Sequence, residues 1–254
     1  MSLFDFTDKT VIVSGGGTGI GFEIAKSFVL YGAKVTIAGR RKDVLEETLL
    51  QIKKEIPRSD NKIFSTSCDM SNEKSVSSLF KTVQSVFQGI DILINNCGTW
   101  SLGPINELSE GEIENHFNNT LKSTIMGTKY AYEFMGKGSV IINIGSFAGI
   151  IPMKNASIYS SFKSAINTFT KSSAAELGQK GIRVNCITPG VIRTPMTSQY
   201  IDDNYDKIIK PIALGRVGNC EEVANGVLFL CSDLASYITG AVLEITGGKY
   251  ATQL

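Results

Sequence analysis

The sequence predicts an α/β protein with a doubly wound parallel sheet of about seven strands and helices on both faces. Three observations predict this class. Short apolar runs rich in β-branched residues recur along the 254-residue chain, segments of helical periodicity separate them, and the first run ends in a glycine-rich turn. Apolar strands are typical of parallel sheets buried on both faces, and right-handed crossovers place the connecting helices on both sides.

Seven runs are predicted as strands and six segments as helices. The predicted strands are Val11–Ser14, Lys34–Ala38, Lys62–Thr66, Asp91–Asn95, Ser139–Ile144, Ile182–Ile187 and Val242–Ile245. The predicted helices cover residues 19–31, 42–55, 72–87, 109–135, 155–178 and 221–231. Because no repeat, low-complexity linker or change of composition divides the chain, we expect a single domain over residues 1–254.

The residue totals exclude several classes of protein. A net charge of +1 gives no electrostatic reason to expect nucleic acid or an anionic membrane surface as a partner. No apolar run is long enough to cross a bilayer, and the N-terminus lacks a signal-peptide core, so we expect no membrane association. Five widely spaced cysteines without a Cys-x-x-Cys pair fit a reducing, cytoplasmic location.

His116 is the only histidine in the chain. A metal site built on two histidines is therefore excluded, we expect no metal, and a serine–histidine hydrolase is disfavoured. We expect His116 to be an exposed or capping residue, so that acid–base chemistry uses other side chains.

The first predicted strand runs into the glycine-rich sequence Ser14–Gly21, after which a helical period begins at Ile20. Glycines let the backbone approach a pyrophosphate, and the unpaired N–H groups at a helix start point towards an anion. Gly21 has no Cβ, so the helix can pack close to the strand. The strand, turn and helix together predict a dinucleotide-binding unit, the alternative being a tight connection that binds nothing.

The second predicted strand leads into Gly39, Arg40 and Arg41. An NAD-specific site places an acidic side chain about 20 residues after the glycine turn, where it holds the ribose 2′-hydroxyl. Here that position is Gly39. A guanidinium group suits a 2′-phosphate, which it binds through two hydrogen bonds. The two arginines therefore favour NADP over NAD, the alternative being a solvated basic turn.

Polar residues also follow the third and fourth strands. Asp69 is placed to accept a hydrogen bond from an adenine amino group, to cap the next helix together with Ser71, or to do both. The fourth strand runs into Asn95-Asn96-Cys97-Gly98, which by itself is ordinary turn chemistry. At the carboxyl end of a central parallel strand, however, this turn lies where ligands bind.

The candidate reacting groups are Ser146, Tyr159 and Lys163. Tyr159 and Lys163 are four residues apart in a predicted helix, so they share one face. A free phenol has a pKa of about 10, and a neighbouring ammonium lowers the pKa, which makes Tyr159 a useful acid or base near neutral pH. Ser146 can donate a hydrogen bond to a substrate carbonyl. The alternative is an incidental surface pair.

These motifs together resemble those of the short-chain dehydrogenase/reductase family. The order and spacing agree over about residues 6 to 250, and the later segments look most similar to the 3-oxoacyl-carrier-protein reductase-like branch. The motifs that carry the family resemblance are Gly15-x-x-x-Gly19-Ile20-Gly21, Asn95–Gly98, Ser146, Tyr159-x-x-x-Lys163 and Pro189-Gly190. Those that carry the branch resemblance are Gly215–Gly218, Glu221–Ala224 and Tyr237–Gly248.

The resemblance implies a Rossmann fold and a role for each matching residue. Tyr159 would be the proton donor in ketone reduction, Lys163 would hold the nicotinamide ribose hydroxyls and tune Tyr159, and Ser146 would orient the carbonyl. The implied cofactor-binding positions are Gly15, Thr18, Gly19 and Ile20 at the pyrophosphate, Asp69 and Met70 at the adenine, Asn96 and Gly98 beside the cofactor, Pro189, Gly190, Ile192 and Thr194 near the nicotinamide amide and phosphates, and Arg40 with Arg41 at the 2′-phosphate.

Two positions depart from the family pattern. Cys97 stands where the family usually has alanine, a change that a small apolar site should accept. The family also has a catalytic asparagine before a Leu-x-Ser/Gly pattern, and aligning Leu121 to that pattern puts Thr120 at the asparagine position. A local helix bulge would bring Asn119 into place, since such bulges often occur at functional sites. We assign Asn119 as the fourth catalytic residue.

The expected activity is NADPH-dependent reduction of a small-molecule carbonyl compound, or oxidation of the alcohol, with 3-oxoacyl thioesters as one substrate class. A sugar, polyol or hydroxysteroid dehydrogenase of the same family is the alternative, and a dienoyl-CoA reductase is disfavoured because that branch lacks the tyrosine. A nucleotide-binding sensor without turnover is the alternative from another class. The substrate lip is predicted from Trp100, Ile151, Met153, Met196 and Tyr200, although these side chains could equally cover the core or a subunit contact.

Two further expectations concern mobility and assembly. The segment 195–214 is a candidate mobile lid because it joins two ordered motifs. The family usually forms tetramers through the helices at 109–135 and 155–178, so we expect a homotetramer or dimer. Ile158, Phe162 and Phe169 would fit such a contact if exposed, or they could pack inward.

Overall fold

The computed structural model describes residues 3–57 and 59–250. Seven strands form one sheet in the order β3-β2-β1-β4-β5-β6-β7, and every neighbouring pair is parallel. The strands are β1 (Thr10–Ser14), β2 (Lys34–Gly39), β3 (Ile63–Ser67), β4 (Ile92–Asn95), β5 (Val140–Ile144), β6 (Arg183–Pro189) and β7 (Val242–Ile245). The predicted doubly wound parallel sheet is confirmed, with strand ends within two residues of those predicted.

The helices connect successive strands and cover both faces of the sheet. They are α1 (Gly19–Leu30), α2 (Lys42–Glu55), α3 (Glu73–Phe87), α4 (Glu110–His116), α5 (Ser123–Phe134), α6 (Ser157–Gly178), α7 (Ser198–Ile209) and α8 (Cys220–Cys231). Within residues 3–57 and 59–250, no helix is both long and apolar enough to span a lipid bilayer.

The core consists of two apolar layers, one on each face of the sheet. Side chains alternate between the two faces along a strand. In β1, Val11 and Val13 pack with α1 residues such as Ile24 in one layer, whereas Ile12 packs with α3 residues such as Phe80 in the other. All five residues of β1 are buried, which is why the strand reads as a continuous apolar run rather than an alternating one.

The path of the chain leaves a crevice between β1 and β4. The chain builds β1, β2 and β3 outward in one direction, then returns to place β4 on the other side of β1. The connections after β1 and β4 therefore leave in opposite directions. The crevice lies beyond the carboxyl ends of these strands, where Ser14 and Asn95 are paired, and in such sheets this is the place where ligands bind.

Two segments differ from the prediction. The helix expected over 109–135 is interrupted, because residues Phe117–Lys122 form a π-helical segment between α4 and α5. The segment 195–214, expected as a lid without an element of its own, contains α7. The helical periodicity of this segment was not apparent in the sequence because the segment is rich in charged residues. In addition, Asn204 in the middle of α7 has non-helical backbone angles (φ −133°, ψ 19°).

Candidate active site

A cavity of about 470 Å³ opens at the carboxyl ends of the central strands. All but one of the residues predicted for the site line this cavity. Those lining it are Gly15, Thr18, Gly19, Ile20, Arg40, Arg41, Asp69, Met70, Asn96, Gly98, Asn119, Ser146, Tyr159, Lys163, Pro189, Gly190, Ile192 and Thr194. The exception is Gly21, which lies behind the turn.

The glycine turn depends on two positions where a side chain would not fit. Gly15 has φ +64°, a left-handed conformation that favours glycine. A Cβ on Gly21 would lie 2.2 Å from the carbonyl oxygen of Gly15. Gly21 therefore lets α1 pack against the turn itself, while Gly15 gives the turn its shape.

The start of α1 provides hydrogen-bond donors that no side chain of the helix cap satisfies. Thr18 is the N-cap residue of α1, and its side chain makes no capping hydrogen bond. Thr18, Gly19 and Ile20 all line the cavity. A helix N-terminus in this state favours an anion, through its free N–H groups and its dipole. The turn and the start of α1 therefore fit the pyrophosphate of a dinucleotide.

The end of the cavity beside β2 and β3 holds cations and one carboxylate. Arg40 and Arg41 are exposed and line the cavity, and in the described part of the chain neither forms an ion pair. The Asp69 carboxylate accepts hydrogen bonds from Ser71, from the backbone N–H at 2.9 Å and from the hydroxyl at 2.8 Å. The N-cap of α3 is Asn72 rather than Asp69 or Ser71, which corrects the capping alternative for Asp69.

Asn96 fastens the glycine turn to the end of β4. Its side-chain amide donates to the carbonyl oxygens of Ser14 at 3.2 Å and of Gly15 at 3.0 Å. The next residue, Cys97, is partly buried in the cavity lining, and burial raises the pKa of its thiol to about 11. Cys97 thus serves as a small, unreactive residue, consistent with replacement of the family's alanine.

Three candidate reacting groups meet at the ends of β5 and α6. Ser146 follows β5, whereas Tyr159 and Lys163 lie one turn apart near the start of α6. The buried Lys163 ammonium donates to the carbonyl oxygen of Ile144 at 2.8 Å and lies 5.9 Å from the centre of the Tyr159 ring. The helical spacing predicted for Tyr159 and Lys163 is confirmed, and both side chains face the cavity.

The prediction of a lowered pKa for Tyr159 is wrong, as the surroundings of Tyr159 and Lys163 show. Burial raises the pKa of the Tyr159 phenol, and the hydrogen bond with Ser146 offsets this only in part. Burial also lowers the pKa of Lys163 to about 8. The expected lowering of the Tyr159 pKa by Lys163 is therefore not found, because burial is the main influence on the phenol and the opposing influence comes from Ser146.

The helix bulge expected near Asn119 is present as the π-helical segment Phe117–Lys122. Asn119 lines the cavity, and its side-chain amide donates to the carbonyl oxygen of Asn115 at 2.9 Å. Thr120 is fully buried, and its hydroxyl accepts a hydrogen bond of 3.4 Å from the N–H of Thr99. The bulge places Asn119 towards the cavity and Thr120 towards the loop after β4.

The prediction that His116 is an exposed or capping residue is wrong, because the side chain is buried and contacts hydroxyl groups of a loop. Only 3% of its surface is accessible. Nδ1 lies 3.1 Å from the hydroxyl of Thr99, and Nε2 lies 2.8 Å from the hydroxyl of Ser101. The imidazole ring is 6.4 Å from the ring of Tyr159. Sequence analysis missed this arrangement because the hydroxyls come from a loop that only the fold brings against α4.

Four of the five residues predicted for the substrate lip line the cavity. These are Trp100, Met153, Met196 and Tyr200. Trp100 and Tyr200 contact each other edge to face, with ring centres 5.3 Å apart. Ile151 does not line the cavity and remains 40% exposed, because the chain after the short 3₁₀ turn at Phe147–Gly149 carries it outward.

Known proteins similar in sequence to this chain include several oxidoreductases. A family profile described as "Enoyl-(Acyl carrier protein) reductase" matches residues 15–249. The chain is 34% identical over 242 residues to a 3alpha-hydroxysteroid dehydrogenase of Mediterraneibacter gnavus, covering 94% of this chain and 96% of the relative. It is 34% identical to a cyclopentanol dehydrogenase of a Comamonas strain, covering 96% and 98% of the two chains.

Two further similarities cover almost the whole chain. A 3-oxoacyl-(acyl-carrier-protein) reductase of Chlamydia trachomatis is 35% identical, with 95% of this chain and 97% of the relative covered. A Brucella melitensis crystal structure, described as short-chain dehydrogenase/reductase and glucose/ribitol dehydrogenase, superposes with a TM-score of 0.92 at 28% identity. That superposition covers 97% of this chain and 98% of the other.

Proposed function

Because the chain belongs to the short-chain dehydrogenase/reductase family of oxidoreductases, we propose that it is an NADPH-dependent carbonyl reductase that also oxidises the corresponding secondary alcohol. One observation carries this proposal. Ser146, Tyr159 and Lys163 line the same cavity as the glycine turn. A nucleotide on the turn and a carbonyl group at the two hydroxyls would therefore share one partly enclosed space, which favours reaction between them.

In the proposed reaction, the side chains of this site orient the substrate carbonyl group and donate a proton to it. When bound, the nicotinamide supplies the hydride that reduces the carbonyl carbon. Ser146 donates a hydrogen bond to the carbonyl oxygen and stabilises the negative charge that develops on it. Tyr159 then gives its phenolic proton to that oxygen, which becomes the alcohol hydroxyl. A phenol whose pKa is raised by burial keeps its proton until the alkoxide forms.

Lys163 and Asn119 would support this chemistry around Tyr159. Lys163 would hold the nicotinamide ribose hydroxyls, since its ammonium is held against the end of β5 by the carbonyl of Ile144. Asn119 would connect the Tyr159 phenol to solvent as part of a proton relay, because the π-helical segment turns it towards the cavity.

The arginines support NADP as the cofactor. The guanidinium groups of Arg40 and Arg41 stand at the rim of the cavity, where a 2′-phosphate would extend from the adenosine ribose. The position at the end of β2 that an NAD-specific site uses for an acidic residue is Gly39 in this chain. We expect a higher kcat/KM with NADPH than with NADH in steady-state assays, and equal values would contradict the proposed preference.

The substrate end of the cavity supports an uncharged, apolar carbon skeleton. Trp100, Met153, Met196 and Tyr200 line it. The names of the relatives provide three test substrates, namely a 3-oxoacyl thioester, a 3α-hydroxysteroid and cyclopentanol. Oxidation or reduction of each, followed by the absorbance of the reduced nicotinamide, ranks these classes directly.

The decisive experiment replaces the proton donor and keeps the fold. Tyr159→Phe removes only the phenolic oxygen, so we expect kcat for ketone reduction to fall by about 10²- to 10⁴-fold, while NADPH binding measured by fluorescence titration changes little. Tyr132→Phe is the matched control, because Tyr132 is half exposed and does not line the cavity. Unchanged turnover by Tyr159→Phe would refute the assignment of Tyr159 as the proton donor.

The wild-type protein itself tests the alternative from another class. NADPH binding without turnover of any test substrate would support a nucleotide-binding sensor instead of a reductase.

The proposed assembly is a homotetramer that uses the helices next to the site. Ile113 and Phe117 on α4 and its bulge are each about 40% exposed, and the Phe117 ring lies 6.0 Å from that of Phe162 on α6. Ile158, Phe162 and Phe169 are themselves half-buried. An apolar surface of this kind favours contact with another subunit.

A further inference from the structure

His116 is a buried titratable group that the proposed reaction does not use. Its two ring nitrogens contact the hydroxyls of Thr99 and Ser101 at 3.1 and 2.8 Å. A neutral imidazole donates from one nitrogen and accepts at the other, so it can satisfy both hydroxyls at once. His116 therefore ties two positions of the loop after β4 to the end of α4.

Trp100 lies between the two hydroxyl residues that His116 holds. Its side chain lines the cavity and meets the ring of Tyr200 at an interplanar angle of 67°. Tyr200 belongs to α7 and also lines the cavity. The loop that His116 holds therefore places the Trp100 ring against α7, the helix within the segment 195–214 that was predicted to be a lid.

Helix α7 is anchored separately from the two main apolar layers. Its buried residues Ile201 and Ile208 pack with Ile212 in a small cluster of their own, which Tyr200 joins from the side. Local apolar clusters of this size open more easily than a large core. The Trp100–Tyr200 contact therefore links a rigid side of the cavity to a less firmly held side.

We propose that Trp100 and Tyr200 form an aromatic gate over the substrate end of the cavity, and that His116 is the positioning residue that holds Trp100 in this gate. Edge-to-face aromatic pairs have a preferred geometry, so the gate has a defined closed position. Its effect on substrate selection rests on the proposed reductase function, whereas its existence does not.

The surroundings of His116 explain why an uncharged ring serves this purpose. Burial is the main influence and lowers the pKa of His116, the nearby Lys163 on α6 lowers it further, and Glu112 on its own helix opposes them. Tyr159 faces the ring from α6. The imidazole therefore stays neutral near pH 7 and can both donate and accept towards the loop.

Trp100 is the only tryptophan in the chain, so fluorescence excited at a wavelength that tryptophan absorbs and tyrosine does not reports on the gate alone. We would measure the emission maximum and acrylamide quenching of the full-length protein, without nucleotide, for the wild type, Tyr200→Ala and His116→Val. Both variants should increase the quenching constant at least twofold and shift the emission to longer wavelength, because Trp100 loses its partner or its support.

Three further variants separate positioning from general damage. Tyr200→Phe keeps the ring and should preserve the wild-type quenching, as should Tyr205→Ala, a matched change on the same helix at a side chain that does not line the cavity. His116→Gln, which can still donate and accept, should restore part of the protection. If His116→Val fails to fold, the double variant Thr99→Val with Ser101→Ala removes the same hydrogen bonds while keeping the imidazole.

Kinetics provide the second measurement. In the gate variants we expect KM for a small cyclic ketone to rise at least fivefold while KM for NADPH changes less than twofold, since the gate lies at the substrate end. Wild-type emission and quenching in both Tyr200→Ala and the His116 or hydroxyl variants would overturn the proposal. Loss of turnover in every protein, with the fluorescence changes intact, would instead count against the reductase function.

Discussion

At the scale of single residues, Lys163 shows how burial changes the chemistry of a charged group. Lys163 is 5% exposed, and its ammonium has one hydrogen bond, to the carbonyl oxygen of Ile144. Removing a cation from water without a carboxylate partner favours its neutral form, and the pKa falls to about 8. The folded protein therefore carries this charge at a cost in stability.

This cost makes stability depend on pH in a defined direction. Below pH 8, Lys163 is protonated in both the folded and the unfolded chain. Between pH 8 and about 10.5 the folded chain releases the proton first, so the free energy of unfolding due to this group rises with pH. We expect the stability of the wild type relative to Lys163→Met to increase by about 2 kcal/mol between pH 7 and pH 10, measured by urea unfolding.

Lys171→Met is the matched control for this prediction, because Lys171 is an exposed lysine on the same helix. It should show no such change in relative stability. If the difference between wild type and Lys163→Met were the same at pH 7 and pH 10, the lowered pKa of Lys163 would be wrong.

At the scale of elements, the π-helical segment is the feature that completes the site. Without the extra residue of the bulge, regular α-helical spacing would carry Thr120 to the position that the family gives to asparagine. With the bulge, Asn119 lines the cavity, while Thr120 is buried against the loop that carries Thr99. One irregular turn therefore provides both a polar group for the cavity and an anchor for the loop.

We expect Asn119→Ala to lower kcat for ketone reduction at least about tenfold, because proton transfer to Tyr159 loses part of its path to solvent. Stability should change little, since the side chain is only half-buried. Steady-state kinetics and thermal unfolding test the two expectations. Asn118→Ala is the control, as Asn118 is equally half-buried and does not line the cavity. Equal losses in both variants would show that the bulge, rather than the Asn119 amide, was disturbed.

At the scale of the whole molecule, the sheet brings distant motifs into one crevice. Residues from the glycine turn to Thr194, nearly 180 positions apart, meet there because all strands run in one direction and end at the same edge. The single domain spanning residues 1–254 stays a prediction. The sheet that holds every motif is confirmed, as the similarity to the Brucella melitensis structure over 97% of the chain also shows.

The proposed tetramer can be tested on the exposed apolar surface beside the site. Phe117→Glu places a charge on that surface, and we expect the assembly to dissociate to dimers or monomers, as measured by sedimentation velocity. Leu50→Glu is the matched control, since Leu50 is an exposed apolar residue on α2, away from α4 and α6. A Phe117→Glu protein that keeps the wild-type mass would contradict the proposed interface.

Much of this architecture was predictable from the sequence because its signals are local. Apolar runs, the glycine turn and the four-residue spacing of Tyr159 and Lys163 depend on backbone geometry and periodicity, which neighbouring residues determine. The helix bulge near Asn119 was expected on a different ground, the one-residue mismatch between this sequence and the family's asparagine motif, and local periodicity alone predicted an uninterrupted helix. These features are present where they were expected.

The burial of His116, the raised pKa of Tyr159 and the helix α7 were decided by tertiary structure. Each depends on groups far away in sequence, such as the loop hydroxyls around Trp100 or the apolar cluster beneath Tyr200. Local sequence determines which residues can react, because reactivity depends on the type of side chain and on the spacing of neighbouring reactive groups along a helix or turn. Burial and contact across the cavity arise only when the sheet closes, because they depend on which distant surfaces exclude water together.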